Sequence, residues 1–249
     1  MRQSRTKGKK MPRKYDERHR MPNKLIEELA DGVTSQYLQK YPYRAHSVPV
    51  SPEKIMDCLW DFYVETEDLQ SEYGTGTHGA LFIYDGERRV AIDKSIDPKV
   101  NPKMLGRYNF SVAHEAGHWV IHAPDMLADE NAPLLLGEKG KPTILCRSSN
   151  RDERERQADR FAGYLLMPRE LVYEAWRAKY GDNSKAPNVF EELQELRERF
   201  HLPPDSRKVF CQIAHDFAAT FAVSPEAMQI RLSELGLIKL EEDNQMDLF

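Results

Sequence analysis

The spacing of apolar residues changes along the chain, and the changes outline its elements. Over residues 22–38 they recur every three or four positions (Leu25, Ile26, Leu29), the spacing of one buried helix face, with Pro22 suited to the first turn. A second helix opens at Ser51-Pro52-Glu53, a cap followed by proline, and Ile55, Met56, Leu59 and Trp60 form its stripe. Short runs of strand formers follow at 62–65, 80–84 and 89–93, with Asp85-Gly86 as a hairpin turn between the last two. These predict a small antiparallel sheet. The glycines of 73–79 read as a plain loop, because no helix-opening GK[ST] or GxGxxG pattern accompanies them. Helical periodicity resumes from 107 to Pro124, and again over 152–167, capped from Ser148-Ser149-Asn150 and stopped by Pro168. Further helices are predicted at 169–180, 188–200, 207–221 and 225–235, with Gly181 and Gly236 just beyond two of the ends. The fold class is α+β, the sheet preceding an all-helical region.

Composition narrows the classes of function. The 249 residues are 40% hydrophobic and 10% aromatic, enough for a real core. The longest apolar runs, 80–84 and 164–167, fall far short of the ~20 residues of a membrane span. No apolar stretch follows the basic start, so a secretory signal is not expected and the cytoplasm is the default compartment. Residues 1–20 carry a net +7 and the remainder −11, which gives the overall −4. The basic start reads as a solubilising tail, and the acidic body argues against general nucleic-acid binding. Cys58, Cys146 and Cys211 are odd in number and widely spaced, as free thiols would be.

The chemistry concentrates at His114-Glu115-Ala116-Gly117-His118. Residues i and i+4 share a helix face, so two imidazoles can grip one metal ion while Glu115, about 100° round the helix, reaches a water beside it. Zinc so held lowers the pKa of water toward ~7, and a carboxylate can take the proton as the water attacks a carbonyl. A catalytic zinc needs a third protein ligand. On the helix 152–167, Glu155 borders the buried face and is the candidate, whereas Glu153 points to solvent. Asp159, one turn on, is placed to accept the second ring N–H of a ligand histidine. Ordinary ion pairing with Arg151, Arg154, Arg156 and Arg160 is the competing account of this acidic pair. His122 is the other candidate ligand, about 80° round the helix from His114, and reads better as a packed or hydrogen-bonded histidine. Cys146 reads as a small buried hydrophobe or as a latch on the metal.

Two blocks together, Phe110-Ser-Val-Ala-His-Glu-Ala-Gly-His-Trp-Val-Ile-His122 and Glu155-Arg-Gln-Ala-Asp159-Arg-Phe-Ala-Gly-Tyr-Leu-Leu-Met-Pro168, resemble the ImmA/IrrE family of zinc metallopeptidases. The resemblance covers roughly 22–170, with a weaker echo over 221–236. It implies a zincin-like, gluzincin-type domain with His114, His118 and Glu155 as metal ligands and Glu115 as the base. It also implies one Zn²⁺ per chain, Mn²⁺ being the alternative, and an anti-repressor that cuts a partner helix-turn-helix repressor in a stress or mobile-element response. Gln157 stands where many members have Glu; it lies about 200° from Glu155 on the helix, so no effect on the metal is expected.

The predicted organisation is a basic tail (1–20), a metallopeptidase domain (21–170), a helical region (171–240) and an acidic tail (241–249). The helices 207–221 and 225–235 could form a helix-turn-helix, but Glu226 and Glu234 against the single Arg231 suit phosphates poorly. Their stripes, Ile213, Phe217 and Phe221 with Met228, Leu232 and Leu235, are expected to pack on the protease body or its substrate. The end, Gln245-Met246-Asp247-Leu248-Phe249, resembles the short peptides that dock on the bacterial sliding clamp. A substrate segment is expected to add as a strand at the sheet edge. The rival reading is a non-catalytic adaptor in which a structural zinc holds the fold and the C-terminal helices and tail bind partners.

Overall fold

The computed structural model describes residues 21–42, 48–84, 87–124, 143–147, 152–182 and 184–241. The basic tail, the turn at 85–86, the caps expected at 148–150, and Gln245, Leu248 and Phe249 all lie outside the described residues.

Helix α1 (Asn23–Lys40) starts directly after Pro22 and buries Ile26, Ala30 and Val33, the one-face spacing read from the sequence. Helix α2 (Pro52–Trp60) has its proline in the first turn and buries Ile55 and Met56. Strand β1 (Tyr63–Glu67), a short helix α3 (Leu69–Tyr73), and strands β2 (Thr77–Tyr84) and β3 (Glu87–Asp93) follow. With β4 (Ile144–Arg147) they form one sheet in the order β1-β3-β2-β4.

The sheet is mixed, which corrects the antiparallel expectation. β2 runs antiparallel to both β3 and β4, but β1 and β3 are parallel. Hydrophobic alternation carries no sign of strand direction; a polar clamp ties the two strands together. Arg89 of β3 is held by Glu65 at 2.6 Å and by Glu67, alternate residues of β1, and its guanidinium stacks 3.8 Å from the Phe82 ring centroid of β2. The glycine-rich stretch read as loop also runs into strand, because Thr77, His78 and Gly79 begin β2.

One sheet face carries a small cluster of Leu69, Ala80, Phe82 and Ala91. The other presents Leu81, Ile83, Val90 and Ile92 to the helices. Helix α4 (Leu105–Gly117) packs on that face, and its last turn widens into a single π turn (His118–His122) in which Ala123 N–H bonds to His118 C=O. Helix α5 (Glu153–Leu166) packs between α4 and α1. Its cap is Asp152, whose side chain accepts from Glu155 N–H at 3.1 Å.

The remaining helices are α6 (Arg169–Tyr180), α7 (Phe190–Arg199), α8 (Gln212–Phe221) and α9 (Pro225–Glu234). Phe217, Phe221, Met228, Leu232 and Leu235 are buried in the same continuous core as Ile26 and Ile92. The turn joining α8 to α9 rests on α4. Asn109 Nδ2 donates to Ala222 C=O at 3.2 Å, and a Cβ on Gly106 would stand 2.8 Å from the Val223 carbonyl carbon. Arg231 of α9 is buried, donating from Nη2 to Glu27 at 2.6 Å and from Nε to Met167 C=O at 3.0 Å. Among the described residues no helix is long and apolar enough to cross a membrane.

Candidate metal centre

Helices α4 and α5 create the site by their close approach. Gly117 is the reason they can come so near: a Cβ there would lie 3.0 Å from Ala158 Cα and 3.2 Å from Ala158 O. His114 and His118 on one side of this contact and Glu155 on the other are thereby brought together. The two Nε2 atoms are 3.0 Å apart, and the carboxylate oxygens of Glu155 lie 3.3 Å from His114 Nε2 and 3.4 Å from His118 Nε2. All three residues are buried.

This group could hold a metal ion. Its donors are two imidazole nitrogens and one carboxylate oxygen, a set suited to a borderline-soft divalent cation. The two nitrogens are 3.0 Å apart and each faces a different oxygen of Glu155 at 3.3–3.4 Å, near the ~3.3 Å edge of a tetrahedron with ligand bonds of ~2.0–2.1 Å. Without an ion, the cluster behaves as a charged pair. Burial opposes a proton on His114, but the carboxylates of Asp159 and Glu155 outweigh it and raise its pKa to about 10. Burial likewise works against ionised Glu155, yet the close approach of the His114 and His118 rings brings its pKa down to about 2.

The surrounding residues orient the donors. Asp159 Oδ1 faces His114 Nδ1 at 2.8 Å, so a hydrogen on Nδ1 leaves Nε2 to face the cluster. His122 does not face the cluster. Its Nδ1 meets His118 Nδ1 at 2.9 Å and its Nε2 meets Gln157 Oε1 at 3.1 Å, while burial and the neighbouring His118 hold its pKa down to about 4. Glu153 pairs instead with Arg156 and Arg160. The side chain of Cys146 lies outside the described residues.

Glu115 is fully buried, its carboxylate lying against β2 at Gly79. A Cβ at position 79 would overlap Glu115 Oε1, so the strand passes the glutamate only because residue 79 is glycine. Next to it, His78 Nε2 accepts from Arg107 Nη2 at 2.9 Å, and burial, then the guanidinium charge, lowers the pKa of His78.

Sequence reasoning missed Gly79, the His78–Arg107 pair and Gln157. The helix wheel gives α5 one buried face and assigns no burial to Gln157. Packed between α4 and α1, the helix buries more than half its circumference, and Gln157, only 3% exposed, sits at the border opposite Glu155. The usable signal was Gln157 together with Tyr164: both lie about 180–200° from Glu155, which marks a second buried edge.

The family described as IrrE N-terminal-like domain (Peptidase_M78) matches residues 100–233, more than half of the chain, including α4, α5 and all but the last residue of α9. No curated protein matches the chain. A solved structure of a Mycobacterium tuberculosis transcriptional regulator is 13% identical, with a TM-score of 0.43; the match covers 91% of this chain and 61% of that one.

Proposed function

Because the chain belongs to the IrrE N-terminal-like (Peptidase_M78) family, we propose that it is a zinc-dependent endopeptidase with a zincin-like, gluzincin-type fold. The observation that carries this reading is the buried His114, His118 and Glu155 group with Glu115 next to the first histidine. His114, His118 and Glu155 would hold the ion, with Asp159 orienting His114. Zinc, when bound, supplies Lewis-acid polarisation of a carbonyl and acidifies water. Glu115 is the general base. Its carboxylate takes a proton from the water that attacks the peptide carbonyl and returns it to the amine nitrogen as the C–N bond breaks. Gly79 leaves room for that carboxylate.

The substrate in this reading is a partner helix-turn-helix repressor in the cytoplasm, reached by strand addition at the sheet edge. Arg231, the one basic residue of α9, is buried against Glu27, which supports a reading in which α9 does not contact DNA. Gln245, Leu248 and Phe249 would dock the chain on a sliding clamp.

The test compares wild type, Glu115→Gln and Glu155→Ala. We expect about one zinc per chain in the first two and little in the third. New protein N-termini should arise in host extract only with wild type. Zinc-loaded wild type that generates no more cleavage than Glu115→Gln would refute the peptidase reading in favour of the adaptor.

A further inference from the structure

Beyond the three donors and Asp159, a second line of buried side chains ends at His118. It runs from His118 Nδ1 to His122 Nδ1 at 2.9 Å, then from His122 Nε2 to Gln157 Oε1 at 3.1 Å. These residues are 2%, 8% and 3% exposed, so solvent does not supply alternative partners. The π turn over 118–122 contributes to the arrangement, with the two rings stacked at a tilt and their centroids 5.0 Å apart.

Simple rules couple the hydrogens along this line, and the atom that the Gln157 amide turns to His122 sets their direction. A neutral imidazole has one N–H, and a carbonyl oxygen only accepts. His122 therefore donates from Nε2 to Gln157 Oε1 and leaves its Nδ1 bare. Two bare nitrogens repel at 2.9 Å, so His118 carries its hydrogen on Nδ1. That leaves the Nε2 lone pair of His118 pointing at His114 Nε2 and Glu155, where the candidate donors converge. With the amide turned round, every hydrogen reverses and an N–H occupies that position instead.

We propose that His122 and Gln157 are positioning residues that set the tautomer of His118 and so present its Nε2 lone pair to the metal. The relay rests on the reading of His118 as a metal ligand. It mirrors the action of Asp159 on His114, but through one more ring and with an amide at its end. A carboxylate at 157 could only accept, so Gln157→Glu locks the productive direction, whereas Gln157→Met has nearly the same shape and no acceptor.

The experiment uses the full chain with ¹⁵N-labelled histidine. Imidazole NMR assigns the His118 tautomer in the metal-free and zinc-loaded protein, and chelator competition measures zinc affinity. We expect the Nδ1–H form in wild type and Gln157→Glu, and, with His114→Ala removing the ring that faces His118 Nε2 at 3.0 Å, loss of that preference in metal-free Gln157→Met. Zinc affinity should fall about 10- to 100-fold in Gln157→Met and be at least wild-type in Gln157→Glu. An Nε2–H His118 in the metal-free wild type, or a Gln157→Met protein with the wild-type tautomer and zinc affinity within twofold, overturns the relay. Failure of wild type to bind zinc would overturn the ligand reading instead, and the tautomers of the metal-free proteins would still decide the relay.

Discussion

Gly117→Ala tests whether the closeness of α4 and α5 is what assembles the donors. The new Cβ would stand 3.0 Å from Ala158 Cα, 3.2 Å from Ala158 O and 3.2 Å from Phe161 Cβ. Carbon atoms prefer about 3.5–4.0 Å, so the helices must part locally by about 0.5 Å. The candidate donors straddle the wedge, with His114 and His118 on one helix and Glu155 three residues before Ala158 on the other. Metal sites tolerate errors of only about 0.2 Å in ligand distance, so the affinity for zinc should fall about 10- to 100-fold. Stability should change much less. Overpacking costs about 1–3 kcal/mol, and replacing a helical glycine by alanine returns up to about 1 kcal/mol. Chelator competition reads the first quantity and urea unfolding of the metal-free protein reads the second. Zinc affinity within threefold of wild type would show that the approach at Gly117 does not govern the site.

Three further predictions concern charge. Arg231→Met removes a buried guanidinium that Glu27 and the Met167 carbonyl both use; since Glu27 keeps Arg169 at 2.7 Å, the loss should be about 3 kcal/mol by urea unfolding, and under about 1 kcal/mol would contradict it. Arg169 and Arg231 hold the pKa of Glu27 down against burial, so its contribution is present above pH 4.5 and lost on acidification, and the acid sensitivity should be weaker in the variant. In the metal-free protein His114 has its pKa raised from 6.5 to about 10, so its charged form stabilises the fold fully below pH 6.5 and ceases to do so as pH rises through about 10. Zinc must displace that proton, so affinity should climb about tenfold per pH unit from 7 to 9, measured by chelator competition, and a flat profile would refute this.

The parts of the site that depend on local periodicity were legible in the sequence. The HExxH spacing puts His114 and His118 on one face, and the position of Glu155 and Asp159 on one border of a helical stripe brings them to that face. What could not be read depends on contacts distant in sequence. β4 is four residues in a polar stretch and exists through its pairing with β2. The direction of β1 lies in its pairing with β3, not in alternation. Gly79 looks like a loop residue because glycine is a poor strand former, and its reason for being in β2 is a carboxylate 36 positions away. The burial of Gln157 could not be read because a helix wheel assumes one partner, and α5 has two.

The joint between Gly106 and Val223 affects what can be moved between proteins. All three candidate donors lie before residue 170, so a fragment ending there would carry the whole donor set. It would also present to water the surface of α4 on which Ala222 and Val223 now sit, and it would leave Glu27 without Arg231. Recombination could therefore exchange the chemistry only by carrying α8 and α9 with it. The smallest transferable unit is set by packing and is longer than the stretch that holds the donors.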